Sequence, residues 1–329
     1  MALTCGLMLI AGASGASTIS ATTPTITRDV ASAVLQQHLS PAAQRSLLHA
    51  ATDLALTNYP HRGQGESQCQ TYGQCVYGDR SSSTTVALFG DSHAAMWLPA
   101  LDPAAKELHL RLVVTWLGAC PTAAVAPIEP AFGNPAFCNG FRKHADAEII
   151  KGHPQFLILA EKTAHIPNGI PAHPWYSPTE ITNGLITTIH TFQRAGITVG
   201  VLEDTPLFPK PVPTCLSQHS MAIRSCSVNF NDYISTGPRS AERTAAVATG
   251  AAYLSTHQWL CTSTCPAVIN NIVAYTDEDH ISYSYAATLH APLAIELKRA
   301  MSRLRSAERV THSDPGTPTH AAPPQISGT

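Results

Sequence analysis

Val86-Ala87-Leu88-Phe89-Gly90-Asp91-Ser92-His93-Ala94 packs a four-residue apolar run, a turn and the opening of a helix into nine residues. An apolar run without polar alternation suits a strand buried on both faces. Gly90 permits a tight turn, and Asp91 or Ser92 can cap the helix that follows. Outward from this stretch the pattern recurs: Leu112-Val113-Val114-Thr115, Phe156-Leu157-Ile158-Leu159 and the run 197–202 read as further strands, with 252–255 as a shorter one. Helices are expected over 94–108, 141–150, 179–194, 241–252 and 285–305. This alternation predicts an α/β fold, a doubly wound three-layer α/β/α domain with a parallel sheet, over 84–305. In such sheets ligands bind beyond the carboxyl ends of the strands, which is where Ser92 falls.

The rest of the chain frames that domain. Residues 1–25 include Leu3-Thr-Cys-Gly-Leu-Met-Leu-Ile-Ala-Gly-Ala-Ser-Gly-Ala16, which reads as a signal-peptide core or as the outer remnant of a membrane helix. Residues 26–83 read as a helical extension, with a helix pair over 31–56, and a polar disulfide loop over 60–77. Residues 306–329, Pro-containing and poor in apolar side chains, read as a disordered tail. Of 329 residues, 44% are apolar and 13% charged, enough to bury a core, and the net charge of −2 gives no basic field for nucleic acid or anionic lipid.

Nine cysteines are present. Leaving Cys5 aside, proximity groups them as Cys69 with Cys75, Cys120 with Cys138, Cys215 with Cys226, and Cys261 with Cys265. Four close pairs favour disulfides in an oxidising compartment, although sequence alone does not fix connectivity. Zinc is the rival reading, and only Cys261–Cys265, with His257 nearby, has ligand-like spacing. No metal or cofactor is expected.

Ser92 lies at a helix N-terminus, where N–H groups and the macrodipole favour developing negative charge. A serine needs a base. Near the other end, Tyr275-Thr276-Asp277-Glu278-Asp279-His280-Ile281-Ser282 offers His280 with Asp277 three residues before it, so that the carboxylate can bind one imidazole nitrogen and leave the other for Ser92. The bland reading of that segment is an acidic helix start with His280 as bystander. His93 reads as capping or packing under the turn. Trp97 and Trp116 read as core packing, with sugar stacking as the alternative. The Pro-rich segment 167–178, flanked by His165 and containing His173 and Trp175, reads as a pocket lip or an inert surface connection.

Gly90-Asp91-Ser92-His93-Ala94, Ala119-Cys120-Pro121, Cys138-x-x-Phe141, Val201-x-x-Asp204-x-Pro206, Cys215-Leu216 and Tyr275-x-Asp277-x-x-His280-Ile281-Ser282, in that order, resemble the SGNH (GDSL-like) hydrolase superfamily. The more specific resemblance is to the extracytoplasmic SGNH domain fused to membrane acyltransferase family three proteins, which O-acylate envelope glycans. It implies an SGNH/flavodoxin-like fold, Ser92 as nucleophile, His280 as general base then acid, and Asp277 as its orienting partner. It also implies the backbone N–H groups of Ser92 and Gly118 as oxyanion donors, and an acylated glycan or acyl donor as substrate. A membrane acyltransferase module is the implied partner, and the location is extracytoplasmic, secreted or tethered to the outer face of the cytoplasmic membrane. The superfamily's third block carries a Gly-x-Asn-Asp turn, whereas 159–165 here reads Leu-Ala-Glu-Lys-Thr-Ala-His. An incomplete oxyanion hole and weak activity are therefore expected. Two other classes stay open: a catalytically silent glycan-binding domain, and a histidine-based zinc hydrolase, for which no His-Glu-x-x-His is present.

Overall fold

The computed structural model describes residues 23–54, 69–126, 135–163, 176–230 and 238–312. In chain order, helices α1 (Thr23–Ala33) and α2 (Pro41–Ala50) precede strands β1 (Cys75–Gly78) and β2 (Thr85–Gly90). Then come α3 (Ser92–Ala95), α4 (Leu98–Glu107), β3 (Arg111–Trp116), α5 (Pro135–Gly152), β4 (Phe156–Ala160), α6 (Pro178–Arg194) and β5 (Val199–Leu202). The remainder is α7 (Val212–Gln218), β6 (Val228–Asn229), α8 (Pro238–Thr249), β7 (Ala252–Leu254), β8 (Thr264–Cys265), β9 (Val268–Ile269), β10 (Ile272–Val273), α9 (Tyr283–Thr288) and α10 (His290–His312).

Six strands form one sheet in the order β1-β3-β2-β4-β5-β7, parallel except for β1. The run at 86–89 is the middle of it. Val86 and Leu88 point into one core, shared with Trp97, Leu101, Leu293 and Leu297. Ala87 and Phe89 point into the other, with Phe141, Leu185, Ile189 and Phe192. Alternate residues thus face opposite layers, and both layers are apolar, so the strand shows no polar alternation. Each large side chain so buried contributes about 1.5–3 kcal/mol. The chain leaves β2 for β3 on one side and later returns to β4 on the other. The carboxyl ends of β2 and β4 are therefore the point where strand order reverses.

The structure redraws several elements. The sheet begins at Cys75, inside the segment expected as a loop, with β1 closing the β3 edge as an antiparallel strand. The helix pair expected over 31–56 lies earlier, as α1 and α2, because Ser40 caps α2 by accepting from the Ala43 N–H and Pro41 occupies its first turn. The helix expected over 94–108 is two, broken at Met96–Trp97 ahead of Pro99. The last helix also divides, at Leu289, because Pro292 has no N–H to bond back into the preceding turn. It then continues to His312, past the expected end at Arg305. Residues 1–22, the rest of the C-terminal tail from 313, and the segment 164–175 lie outside the described residues. Among the described residues no helix is long and apolar enough to cross a membrane.

Candidate functional site

Three loops at the carboxyl edge build the site. The first follows β2. Gly90 pairs with Trp116 on β3 and Ala160 on β4. Asp91 caps α3 through its side chain, which accepts from the His93 N–H at 2.8 Å, and its other oxygen accepts from the Lys162 N–H at 3.0 Å. Ser92, the first residue of α3, is half-buried. The second loop, after β5, holds Asp204 and Thr205. The third, 275–281, is closed by the antiparallel bridge between Tyr275 and Ile281 and by the Thr276 N–H donating to the His280 carbonyl at 2.9 Å. It is a turn rather than the acidic helix start considered above; the next helix begins at Tyr283 under a Ser282 cap.

Within that turn Asp277 divides its carboxylate. Oδ1 accepts from the N–H groups of Asp279 (2.9 Å) and His280 (2.8 Å), shaping the loop. Oδ2 lies 2.8 Å from His280 Nδ1. A carboxylate only accepts, so Nδ1 carries the hydrogen and, in the neutral ring, Nε2 carries the lone pair. Nε2 is 2.9 Å from Ser92 Oγ, which donates to it. Residues 188 positions apart in sequence thus meet in a hydrogen-bonded chain, an arrangement able to take a proton from a hydroxyl as it attacks. The loop is held from outside: the Phe208 and Val212 N–H groups donate to the Glu278 and Asp277 carbonyls at 2.7 and 3.0 Å.

Around this chain lies a buried charged cluster. His93 Nδ1 is 2.6 Å from Asp204 Oδ1, and its ring centroid is 4.7 Å from that of His280. Asp204 also accepts from the N–H groups of Thr163 and Thr205, both at 2.7 Å. Lys162 Nζ reaches Asp279 Oδ2 at 2.6 Å. Burial opposes charge on the His280 ring, but the hydrogen bonds it donates to Asp277 and Asp279 outweigh it and push the ring up to about 9, with the His93 charge opposing. Burial likewise opposes charge on His93, and Asp204 more than compensates, raising it well above an ordinary imidazole. Glu161, fully buried after β4, is pushed up to about 7 by desolvation while accepting from Thr122 Oγ1 and the Ala123 N–H.

The ligand-capable atoms of His93, Asp279 and His280 lie within 4.8 Å of one another, the spacing of a metal site. The Lys162 ammonium, however, already supplies the cation beside Asp279. Gly118 sits in the turn after β3, where the Cys120 N–H donates to the Leu117 carbonyl at 3.1 Å and Ala119 takes φ +56°. That turn continues directly from the β3 residue paired with Gly90. Residues 161–163, where the superfamily's asparagine block would lie, are engaged elsewhere, with Thr122, Asp279 and Asp204. Trp97 and Trp116 are core residues, Trp97 edge-on to Trp259 at 6.4 Å. Disulfides join Cys69–Cys75, Cys120–Cys138, Cys215–Cys226 and Cys261–Cys265. His257, weighed as a zinc ligand, instead accompanies Ser255 on the Glu203 carboxylate.

Sequence reasoning missed the contact of Lys162 with Asp279 and that of Asp279 with His280. For Asp204 a signal existed, in the Val201-x-x-Asp204-x-Pro206 segment; for Lys162 there was none.

A protein-family model described as the SGNH domain fused to AT3 domains matches residues 59–294, well over half of the sequence. The chain belongs to this family. Solved structures similar to this SGNH domain include the periplasmic domain of a lipopolysaccharide acetyltransferase from Salmonella ser. Paratyphi A, at 15% identity, 67% coverage of this chain and 86% of that one, with TM-score 0.49. A GDSL-like lipase from Bacteroides thetaiotaomicron is similar at 11% identity, 67% and 89% coverage, TM-score 0.41. A catalytic mutant of an acetylxylan esterase from Geobacillus stearothermophilus follows at 12% identity, 67% and 94% coverage, TM-score 0.36. No curated protein sequence matches significantly.

Proposed function

We propose that this SGNH domain is a serine acyltransferase or esterase acting on O-acyl groups of cell-envelope glycans, working outside the cytoplasm beside a membrane acyltransferase module. The observation that carries the reading is the hydrogen-bonded chain from Ser92 Oγ through His280 to Asp277, at 2.9 and 2.8 Å. Family membership and four disulfides, at home in an oxidising compartment, support the setting.

Ser92 Oγ attacks the acyl carbonyl carbon while its proton passes to His280 Nε2. Asp277 stabilises the resulting imidazolium and keeps the ring turned toward the serine. The N–H of Ser92, at the start of α3, and that of Gly118 receive the oxyanion. His280 then protonates the departing oxygen, the ester C–O bond breaks, and the acyl group remains on Ser92. A second hydroxyl gives its proton to His280 and attacks the acyl carbonyl; the bond to Ser92 Oγ then breaks and His280 returns the proton to Oγ, so that a sugar hydroxyl completes transfer and water completes hydrolysis. Both outcomes share the first half-reaction.

Ser92→Ala is expected to lower turnover of a simple acyl ester by about 10⁴-fold or more and to abolish labelling by a fluorophosphonate. Undiminished turnover in Ser92→Ala removes the nucleophile assignment. A second reading, a silent glycan-binding domain, is favoured by one observation: Glu161, Lys162 and Thr163 are engaged elsewhere and contribute no side-chain amide to an oxyanion hole. A wild-type domain that resists the fluorophosphonate yet binds O-acylated glycan is what that reading requires.

A further inference from the structure

Two carboxylates face His280 Nδ1: Asp277 Oδ2 at 2.8 Å and Asp279 Oδ1 at 3.1 Å. They differ in surroundings. The Asp277 side chain is 33% exposed and spends its other oxygen on the loop backbone, whereas that of Asp279 is 2% exposed. A carboxylate so deeply buried needs cations and hydrogen bonds of its own, and it has them. Lys162 Nζ lies 2.6 Å from Oδ2, and His93 Nε2 lies 3.6 Å from Oδ1. His93 is in turn fixed by Asp204, which Thr163 and Thr205 hold through their backbone N–H groups. Thr205 Oγ1 donates to the Asp279 carbonyl at 2.6 Å, so the backbone beneath the side chain is pinned as well. The cluster joins the ends of β2, β4 and β5 to the His280 loop. Such an outlay of buried charge is unnecessary for packing alone, because an apolar cluster of the same volume is generally at least as stable.

We propose that Asp279 is a positioning residue for the acyl-transfer site: it shares the Nδ1–H of His280 with Asp277, and Lys162 and the His93–Asp204 pair balance its charge and hold it in place. This rests on the Ser92–His280 reading and deepens it. The groups facing His280 are Asp277 and Asp279 from its own loop, Ser92 and His93 from the turn after β2, and, behind them, Asp91, Lys162 and Asp204 from the ends of β2, β4 and β5. Removing a carboxylate from this set lowers the pH at which the ring titrates; removing a cation raises it.

The test titrates the His280 ring by NMR of ¹³C-histidine-labelled protein, assigned with His280→Gln, in wild type, Asp279→Asn and Lys162→Met. The pH dependence of kcat/KM on p-nitrophenyl acetate is measured in parallel, with Ser92→Ala as background. Asp279→Asn is expected to move the midpoint of both curves down by about 1 unit or more, and Lys162→Met to move both up by less, because Lys162 is 27% exposed. A merely structural role lowers rates without moving the two midpoints in opposite directions. Unchanged midpoints overturn the proposal. If Asp279→Asn does not fold, Lys162→Met decides alone: an upward shift supports the proposal, and no shift overturns it. Turnover that survives Ser92→Ala defeats the underlying reading, and this proposal with it. Turnover that requires Ser92 while both midpoints stay put defeats the positioning role only.

Discussion

Gly90→Ala sets a new methyl carbon deep inside contact with the Ala160 carbonyl oxygen, 2.9 Å from that carbonyl's carbon and 2.5 Å from Ala94 Cβ. Carbon atoms prefer about 3.5–4.0 Å, so α3 must retreat from β2 by about 1 Å, and β4 must also yield. Neither neighbour is a flexible side chain: one is sheet backbone paired with Gly90, the other the Ala94 methyl of the helix that begins at Ser92. Overpacking of this kind costs about 1–3 kcal/mol, occasionally more, which is a fall of about 3–10 °C in Tm for a domain of this size. The catalytic cost is of similar size in free energy but shows as a large fall in rate. Ser92 is two residues away, and displacing a reacting atom by about 1 Å lowers rates about 100-fold. Ester turnover and the rate of fluorophosphonate labelling should both fall by that order while circular dichroism stays native-like. Gly140→Ala serves as control, since a methyl there meets nothing within 4 Å and α5 gains about 0.5–1 kcal/mol from the better helix former. Gly90→Ala with wild-type melting and wild-type labelling would refute the claim that close strand–helix approach sets the position of Ser92.

Two further outcomes are expected. Because the general base must be unprotonated and the His280 ring is pushed up to about 9, kcat/KM of the wild type on a neutral ester should rise with pH through about 9, falling tenfold per unit below it. A limb near the ordinary imidazole value would show that the two carboxylates do not hold the imidazolium. Replacing both Cys120 and Cys138 with serine opens a loop of sequence separation 18 beside the turn that carries Gly118. Urea unfolding should show a loss of about 3 kcal/mol, and a loss below about 1 kcal/mol would mean that the bridge scarcely restrains the unfolded chain.

The strands at 86–89, 112–115 and 156–159 were legible because burial on both faces leaves them apolar apart from Thr115, and that pattern survives any arrangement of the helices. β1 was not legible: Cys75-Val-Tyr-Gly78 is short, only its second half is buried, and its strand character comes from pairing with β3 rather than from its own residues. The expected helix pair over 31–56 rested on the spacing of Val34, Leu35, Leu39, Leu47, Leu48 and Leu54; Leu39 and Leu47 do pack on the core, but Leu35 and Leu48 are 73% and 79% exposed, so the spacing placed the pair too far along the chain. The meeting of Ser92, His280 and Asp277 could be anticipated because each lies in a local motif. That of Lys162 with Asp279 could not. A lysine after one strand and an aspartate in a distant turn become partners only when the sheet brings their ends together, and no spacing in the chain records that meeting. His93 illustrates the middle case: the expectation of packing under the turn fits its burial, but its ion pair with Asp204 depends on a strand more than a hundred residues away.

The four disulfides span 6, 18, 11 and 4 positions, and no two of them interleave along the chain. Each of these eight cysteines therefore reaches its mate before the first member of the following pair appears. For a polypeptide threaded N-terminus first into an oxidising space, linkage can proceed in order of arrival, each bridge closing a short segment at small entropic cost. Mispairing among these eight would require an earlier member to wait unclaimed, so the four bonds have little need of an isomerase to sort them.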